Sequence, residues 1–192
     1  MKKKIILASA SPRRKDLLKQ IGLEFSIIVS DAEEIIARDK QPNEVVEELA
    51  FLKAFDVSQK ISNGLVIGAD TIVVFADKIL GKPSNKKEAK EMLQQLSGKT
   101  HQVLTGVAII DVLNNQQYIF HETTDVTFRS LESKEIDNYI FSGEPMDKAG
   151  SYGAQGIGAL FVQKIDGCYF NVVGLPIHRL ALALKEFGVT VL

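Results

Sequence analysis

"ILASASPRRKDLLKQIG" (residues 6–22) is the stretch on which the reading of this chain turns. Ile5, Ile6 and Leu7 form an unbroken apolar run of the kind a buried strand needs, and Leu17, Leu18 and Ile21 recur at helical spacing. Ser11 suits an N-cap and Pro12 the first helical position, so a strand, a turn and a helix follow one another. The first turn of that helix should favour acids, because a helix N-terminus carries roughly half a positive charge. It holds Arg13, Arg14 and Lys15 instead. Free backbone N–H groups at such a terminus bind anions, and a guanidinium binds phosphate through two hydrogen bonds. A polyphosphate held by Arg13 and Arg14 would explain the cations. A solvated basic turn is the alternative, and it is the reading given to Lys15.

Outward from this stretch, strand-like and helix-like segments alternate. The pattern predicts strands near 4–9, 25–30, 65–76, 102–113, 116–129 and 158–165, and helices near 12–21, 43–61, 86–96, 133–141 and 176–187. Ala89, Met92, Leu93 and Leu96 give the cleanest helical face, which Ser97-Gly98 stops. "DVLNNQQYIF" reads as a hairpin with Asn114-Asn115 in its turn, so part of the sheet is antiparallel. The fold class is α/β with a mixed sheet. Residues 143–158 contain five glycines and form the longest irregular stretch, a length that usually serves function. No internal repeat or low-complexity segment interrupts the pattern.

With 192 residues, the chain can form one ordinary domain or two small lobes. Its 45% hydrophobic and 24% charged residues are those of a soluble globular protein. A net charge of −1 argues against a general nucleic-acid coat, so any positive site is local. Cys168 is the single cysteine; it allows no intramolecular disulfide or cysteine-based metal site, suits a reducing cytosol, and is expected as a buried, inert thiol. "MKKKIILASAS" has too short an apolar run for a signal peptide, and no stretch approaches the ~20 apolar residues of a membrane span. The expected location is the cytoplasm, without a membrane partner.

Several residues are out of place, and such breaks of local rules tend to mark functional sites. "LVIGADTIVVF" (65–75) carries an acid inside an apolar strand. Burying an unpartnered carboxylate costs several kcal/mol, so Asp70 needs a cation, a metal or a cleft; a structural ion pair is the plain alternative. Gly68 permits close approach of a ligand or of backbone, and strict alternation points Thr71 away from Asp70. Lys53 lies near the centre of the apolar arc Val46, Leu49, Ala50 and Val57, with Asp56 at its edge. It either snorkels to the surface or reaches an anion. Lys82, in the turn "LGKPSN" (80–85), could add a point charge for phosphate. "SDAEE" (30–34) sets Asp31, Glu33 and Glu34 just past a strand, where they suit a hard metal or simply face solvent. "EPMDKAGSYGAQGIG" offers Gln155 among glycines for wrapping a ligand, while Asp147-Lys148 could be a surface pair. His101, His121 and His178 lack metal-ligand spacing and read as structural or surface residues. The Walker loop, GxGxxG and GxSxG are all missing. Basic residues from separate segments, with acids able to hold a metal, still point to a nucleoside polyphosphate.

"LASASPRRKDLL", "GADT", "LGKP", "LSGKTHQV", "DKAGSYGAQG" and "VVGLP", in this order, resemble the Maf family of nucleoside triphosphate pyrophosphatases. The resemblance runs from about residue 5 to residue 187. It implies an elongated, inosine triphosphatase-like α/β fold with two lobes around a central cleft. It also implies hydrolysis of a nucleoside triphosphate to the monophosphate and pyrophosphate with a divalent cation, Mg²⁺ or Mn²⁺. The branch acting on dTTP and UTP is marked by SPRR, GADT and a late Gln-Gly; the branch acting on 7-methyl-GTP has Trp after SP, GSDQ, and Glu for that Gln. Arg13, Thr71 and Gln155 resemble the first, with modified pyrimidine nucleotides as a further substrate class. A Gln amide can pair with the O4 and N3–H edge of uracil or thymine, whereas Glu suits the donors of a methylated guanine.

The roles implied are Asp70 as proton acceptor, as metal ligand, or as both. Glu34 is the first choice for a further metal ligand and Glu33 the second. Arg13, Arg14, Lys53 and Lys82 would hold phosphates, with Ser9 donating a hydrogen bond. The family allows a homodimer. A nucleotide-dependent regulator of septum formation, acting through a protein partner, is the alternative; it needs phosphate clamps but no base, and Asp70 argues against it. RNA binding lacks a basic-aromatic stripe.

Overall fold

In the computed structural model, which describes residues 3–33 and 40–192, the apolar run becomes strand β1 (Ile5–Leu7), buried throughout. Parallel partners lie on both sides of it: β2 (Ser26–Ile27) and β3 (Leu65–Phe75). Burial on both faces is why such a strand reads as continuously apolar rather than alternating. Helix α1 (Pro12–Gln20) follows β1, and α2 (Pro42–Ser58) precedes β3. Next come β4 (Lys78–Leu80), α3 (Lys86–Leu96), β5 (Thr100–Asp111) and β6 (Gln116–Phe128). The described chain continues with α4 (Ser133–Phe141), three short 3₁₀ segments, β7 (Val162–Asp166), α5 (Tyr169–Val173) and α6 (Ile177–Glu186). The seven-stranded sheet has the order β2-β1-β3-β5-β6-β7, with β4 antiparallel to β3 and β7 antiparallel to β6. It is a mixed sheet with helices, the α/β class the sequence predicts.

By contact the chain divides into two units, one comprising Met1–Asp70, Thr105–Glu122 and Gly174–Leu192, the other Thr71–Leu104 and Thr123–Val173. In the first unit Ala50, Ala54 and Val57 of α2 pack with Ile6, Ala8, Val66, Ala108 and Ile110. The residues are small because the helix lies close to the strands. A Cβ on Gly68 would overlap the Ala50 carbonyl oxygen and come within 2.7 Å of the Ala54 amide nitrogen. One on Gly106 would overlap the Val46 carbonyl. Gly68 thus does admit close backbone, and the backbone is that of α2.

The second unit has an aromatic core. Ala89, Met92, Leu93 and Leu96 of α3 meet Ile136, Tyr139 and Ile140 of α4, with Phe128, Tyr152 and Phe161. His101, 1% exposed, stands edge-on to Phe128 and Tyr152 and shares a hydrogen bond of 2.8 Å with the Tyr152 hydroxyl. It is a structural histidine, as its spacing suggests, and His121 pairs with Glu47 at 2.7 Å. Cys168 departs from expectation: it is half-buried.

Two local expectations fail for physical reasons. Residues 158–161 do not join a strand; Ile157–Phe161 form a 3₁₀ turn, because the Ile157 and Gly158 amides donate to the Glu144 carboxylate instead of a ladder. Strand β4 is missing from the sequence reading because its hairpin turns on Ala76 and Asp77, both at positive φ (48° and 60°), where Asn-Gly would be the signal.

Candidate active site

The β1–α1 turn supplies the first group. Ser11 caps α1 without a side-chain bond, Pro12 occupies the first turn, and no acid is present there. Arg14, only 9% exposed, directs Nε to the Gly174 carbonyl and Nη1 to the Ala69 carbonyl, both at 2.8 Å. Nη1 also reaches Ser9 Oγ at 3.3 Å. Nε and Nη1 thus serve protein oxygens, and through them the side chain braces the turn against β3. Arg13, one position earlier, is half-buried. Ser9 Oγ accepts from Arg14 and from the Ser11 amide, which leaves the hydroxyl proton as the part able to reach a ligand.

The second group is the acid in the apolar strand. Asp70 Oδ1 accepts from Lys53 Nζ at 2.6 Å, with the two side chains 13% and 15% exposed. The contact depends on packing: Lys53 is carried by α2, and Gly68 lets that helix approach the strand bearing Asp70. The two misfits of the sequence are partners. Because Arg14 bonds the Ala69 carbonyl, the first unit gathers Ser9, Arg14, Lys53 and Asp70 around the end of β3 that it contains.

The other predicted residues belong to the second unit. Thr71 is half-buried, whereas Lys82 and Gln155 are exposed. The Gly150 amide donates to the Gly81 carbonyl at 3.1 Å, tying the turn of Lys82 to the late glycine stretch. That stretch is organised by a residue the sequence reading passed over, Glu144. Its carboxylate accepts from the Ile157 amide (2.9 Å), the Gly158 amide (3.2 Å) and the Tyr139 hydroxyl (2.9 Å). Burial opposes its charge, but these bonds, with Lys148 nearby, hold the Glu144 carboxyl below the usual range. Lys148 bonds both the Glu144 carbonyl and Asp147, each at 2.7 Å. Gly106 was missed as well, although a lone glycine inside a strand is a known sign of close backbone approach.

Of the metal candidates, Glu34 lies outside the described residues, Glu33 is exposed, and Asp31 pairs with Lys60 at 3.0 Å. Among the described residues no three His, Cys, Asp or Glu side chains converge as a metal cage. Asp70 offers hard oxygen donors, which suit Mg²⁺; that ion commonly takes one or two carboxylates and completes its shell with substrate phosphates.

Residues 4–187 match the model of the Maf-like protein family. A dTTP/UTP pyrophosphatase of Bacillus anthracis (strain CDC 684 / NRRL 3495) is 57% identical over 189 residues, covering 98% of each chain. One of Desulforamulus reducens is 52% identical over 187 residues, covering 97% of this chain and 98% of that one. Among solved structures, the Ham1 protein of Staphylococcus aureus matches 66% of this chain and 72% of its own at 18% identity, with a TM-score of 0.49. No described helix is long and apolar enough to cross a membrane. The extent of the family match and the identity to these two pyrophosphatases make one assignment: the chain belongs to the Maf family.

Proposed function

We propose that the chain is a nucleoside triphosphate pyrophosphatase that hydrolyses dTTP and UTP to the monophosphate and pyrophosphate. The observation that carries this reading is the contact between Lys53 and Asp70: a carboxylate in an apolar strand, held by a cation that an incoming phosphate can also engage. Asp70 takes the proton of a water whose oxygen bonds the α-phosphorus in line. The bond from that phosphorus to the bridging oxygen breaks, and pyrophosphate leaves. Arg13, Arg14, Lys53 and Lys82 bear on phosphate oxygens, Ser9 donates its hydroxyl proton, and the Arg14 bonds to the Gly174 and Ala69 carbonyls also keep the turn in place. A divalent cation, Mg²⁺ or Mn²⁺, held by Asp70 and Glu34, would neutralise phosphate charge when bound. Thr71 and Gln155 serve selectivity, with the Gln155 amide reading the O4 and N3–H edge of the base.

The single cysteine is in keeping with the cytoplasm, and the net charge of −1 with a small-molecule substrate rather than nucleic acid. A homodimer belongs to this reading on family grounds.

The test is product analysis with a panel of nucleotides and Mg²⁺, with and without added inorganic pyrophosphatase. Pyrophosphate should be the first product, and UTP and dTTP should exceed CTP by roughly ten- to a hundred-fold in kcat/KM, the size expected when a buried polar edge loses its partner. Orthophosphate as first product would overturn the reaction. Equal kcat/KM for CTP and UTP would overturn the selectivity.

A further inference from the structure

Residues 153–158 carry Gln155 at an exposed position, yet the backbone on both sides of it is pinned from below. On the near side, the Gly153 amide donates to the Tyr139 hydroxyl oxygen at 3.2 Å. On the far side, the Ile157 and Gly158 amides donate to the two Glu144 carboxylate oxygens. The Tyr139 hydroxyl itself donates to Glu144 Oε1, so the two anchors form one connected unit. Tyr139 is 3% exposed and packs edge-on against Phe161, which fixes the platform in the aromatic core.

The glycines of the loop belong to this arrangement. A Cβ on Gly156 would overlap both Glu144 carboxylate oxygens, and one on Gly158 would lie 2.7 Å from the Tyr139 hydroxyl. On Gly153 it would lie 2.7 Å from the Lys148 side chain, which is itself bonded to the Glu144 carbonyl. The glycine spacing that reads as room for a ligand is room for Glu144, Tyr139 and Lys148. An exposed amide can discriminate between bases only if its backbone is held still, since hydrogen-bond selectivity depends on geometry within a few tenths of an ångström.

We propose that Glu144, acting through Tyr139 and the loop amides, is the positioning residue that fixes Gln155 and so sets selectivity between pyrimidine bases. The inference rests on the reading of this chain as a UTP and dTTP pyrophosphatase in which Gln155 meets the base. Glu144 touches no reacting atom in this assignment. Its removal should therefore act on base selection rather than on the chemical step.

The experiment compares kcat and KM for UTP and CTP in the native protein, Glu144→Gln, Glu144→Ala, Tyr139→Phe and Asp70→Asn, with thermal melting of each. Glu144→Ala should lower the UTP:CTP ratio of kcat/KM roughly ten-fold or more, with the loss in KM for UTP. Glu144→Gln keeps an amide oxygen as acceptor and should fall between Glu144→Ala and the native protein. Tyr139→Phe should shift the ratio in the same direction. Asp70→Asn should lose kcat with the ratio intact. If the Glu144 variants melt earlier but turn over UTP and CTP with an unchanged ratio, Glu144 is merely structural and the inference fails. If Glu144→Ala does not fold, Tyr139→Phe decides, and an unchanged ratio there overturns the proposal. A native protein that does not distinguish UTP from CTP would bring down the functional reading as well, whereas a selective native protein with selective variants would sink this inference alone.

Discussion

Gly68→Ala is a one-carbon change that tests how the site is built. The new methyl group would overlap the Ala50 carbonyl oxygen and stand 2.7 Å from the Ala54 amide nitrogen, where ordinary contact begins at 3.4 Å. Helix α2 must then retreat by about 0.7 Å at Ala54, and further at Ala50, since both neighbours are backbone and cannot rotate aside. Overpacking of this kind costs about 1–3 kcal/mol, and the stiffer unfolded chain returns about 0.4–1 kcal/mol. A net loss of about 1–2 kcal/mol should lower the midpoint of thermal unfolding by roughly 2–8 °C in a chain of this size. The same retreat draws Lys53 away from Asp70, a contact now 2.6 Å long. Misplacement on the ångström scale can cost about a hundred-fold in turnover. Differential scanning calorimetry and pyrophosphate release from UTP measure the two effects. Gly81→Ala, with nothing within 4 Å of its added methyl, is the control and should melt as the native protein does. If Gly68→Ala melts within a degree of the native protein and keeps its turnover, close approach of α2 is not what sets the Lys53–Asp70 contact.

Asp70→Asn should fold and lose at least ~10²-fold in kcat for UTP at saturating Mg²⁺, the scale of a missing general base; near-native turnover would return Asp70 to a structural ion pair. The two arginines should separate cleanly. Arg14→Ala should cost about 3 kcal/mol, two bonds from a charged donor at about 1.5 kcal/mol each. Arg13→Ala should leave the melting temperature level or slightly higher while raising KM for UTP, because one cation leaves a positive helix end. Burial pushes His101 from an ordinary 6.5 to about 4, so the unfolded chain takes up its proton first as pH falls. Its contribution is therefore complete above about pH 6.5 and is lost progressively toward pH 4, by up to about 3 kcal/mol. Urea unfolding across that range should show the slope, and His101→Gln, which cannot titrate there, should lack this part of it.

Where a segment's own side chains decide its structure, the sequence was legible. Ala89, Met92, Leu93 and Leu96 are all buried on α3, and residues 86–96 and 133–141 form helices at the predicted limits. Where a distant group decides, it was not. Residues 158–161 have the composition of a strand, but the amides of Ile157 and Gly158 are claimed by an acid more than ten positions upstream, which no local pattern reveals. Lys53 and Asp70 were each visible as a misfit. Their pairing was not, because it passes through Gly68 and the depth at which α2 sits on the sheet.

The cations that open the chain show the same boundary within two adjacent residues. Local electrostatics says only that Arg13 and Arg14 are unfavourable at an empty helix terminus and need a negative partner. It treats the two as equivalent. On a helix, however, neighbours project about 100° apart, so adjacent side chains of the same type must find different surroundings. Arg14 turns to the carbonyl oxygens of Ala69 and Gly174, whose partial charges answer part of the terminus's demand inside the protein. These bonds tie the turn to Ala69 and Gly174, and a turn so held is what the proposed phosphate site asks of Arg13 and Ser9. The two neighbouring arginines therefore differ in surroundings: Arg14 is buried against backbone carbonyls, whereas Arg13 is only half-buried.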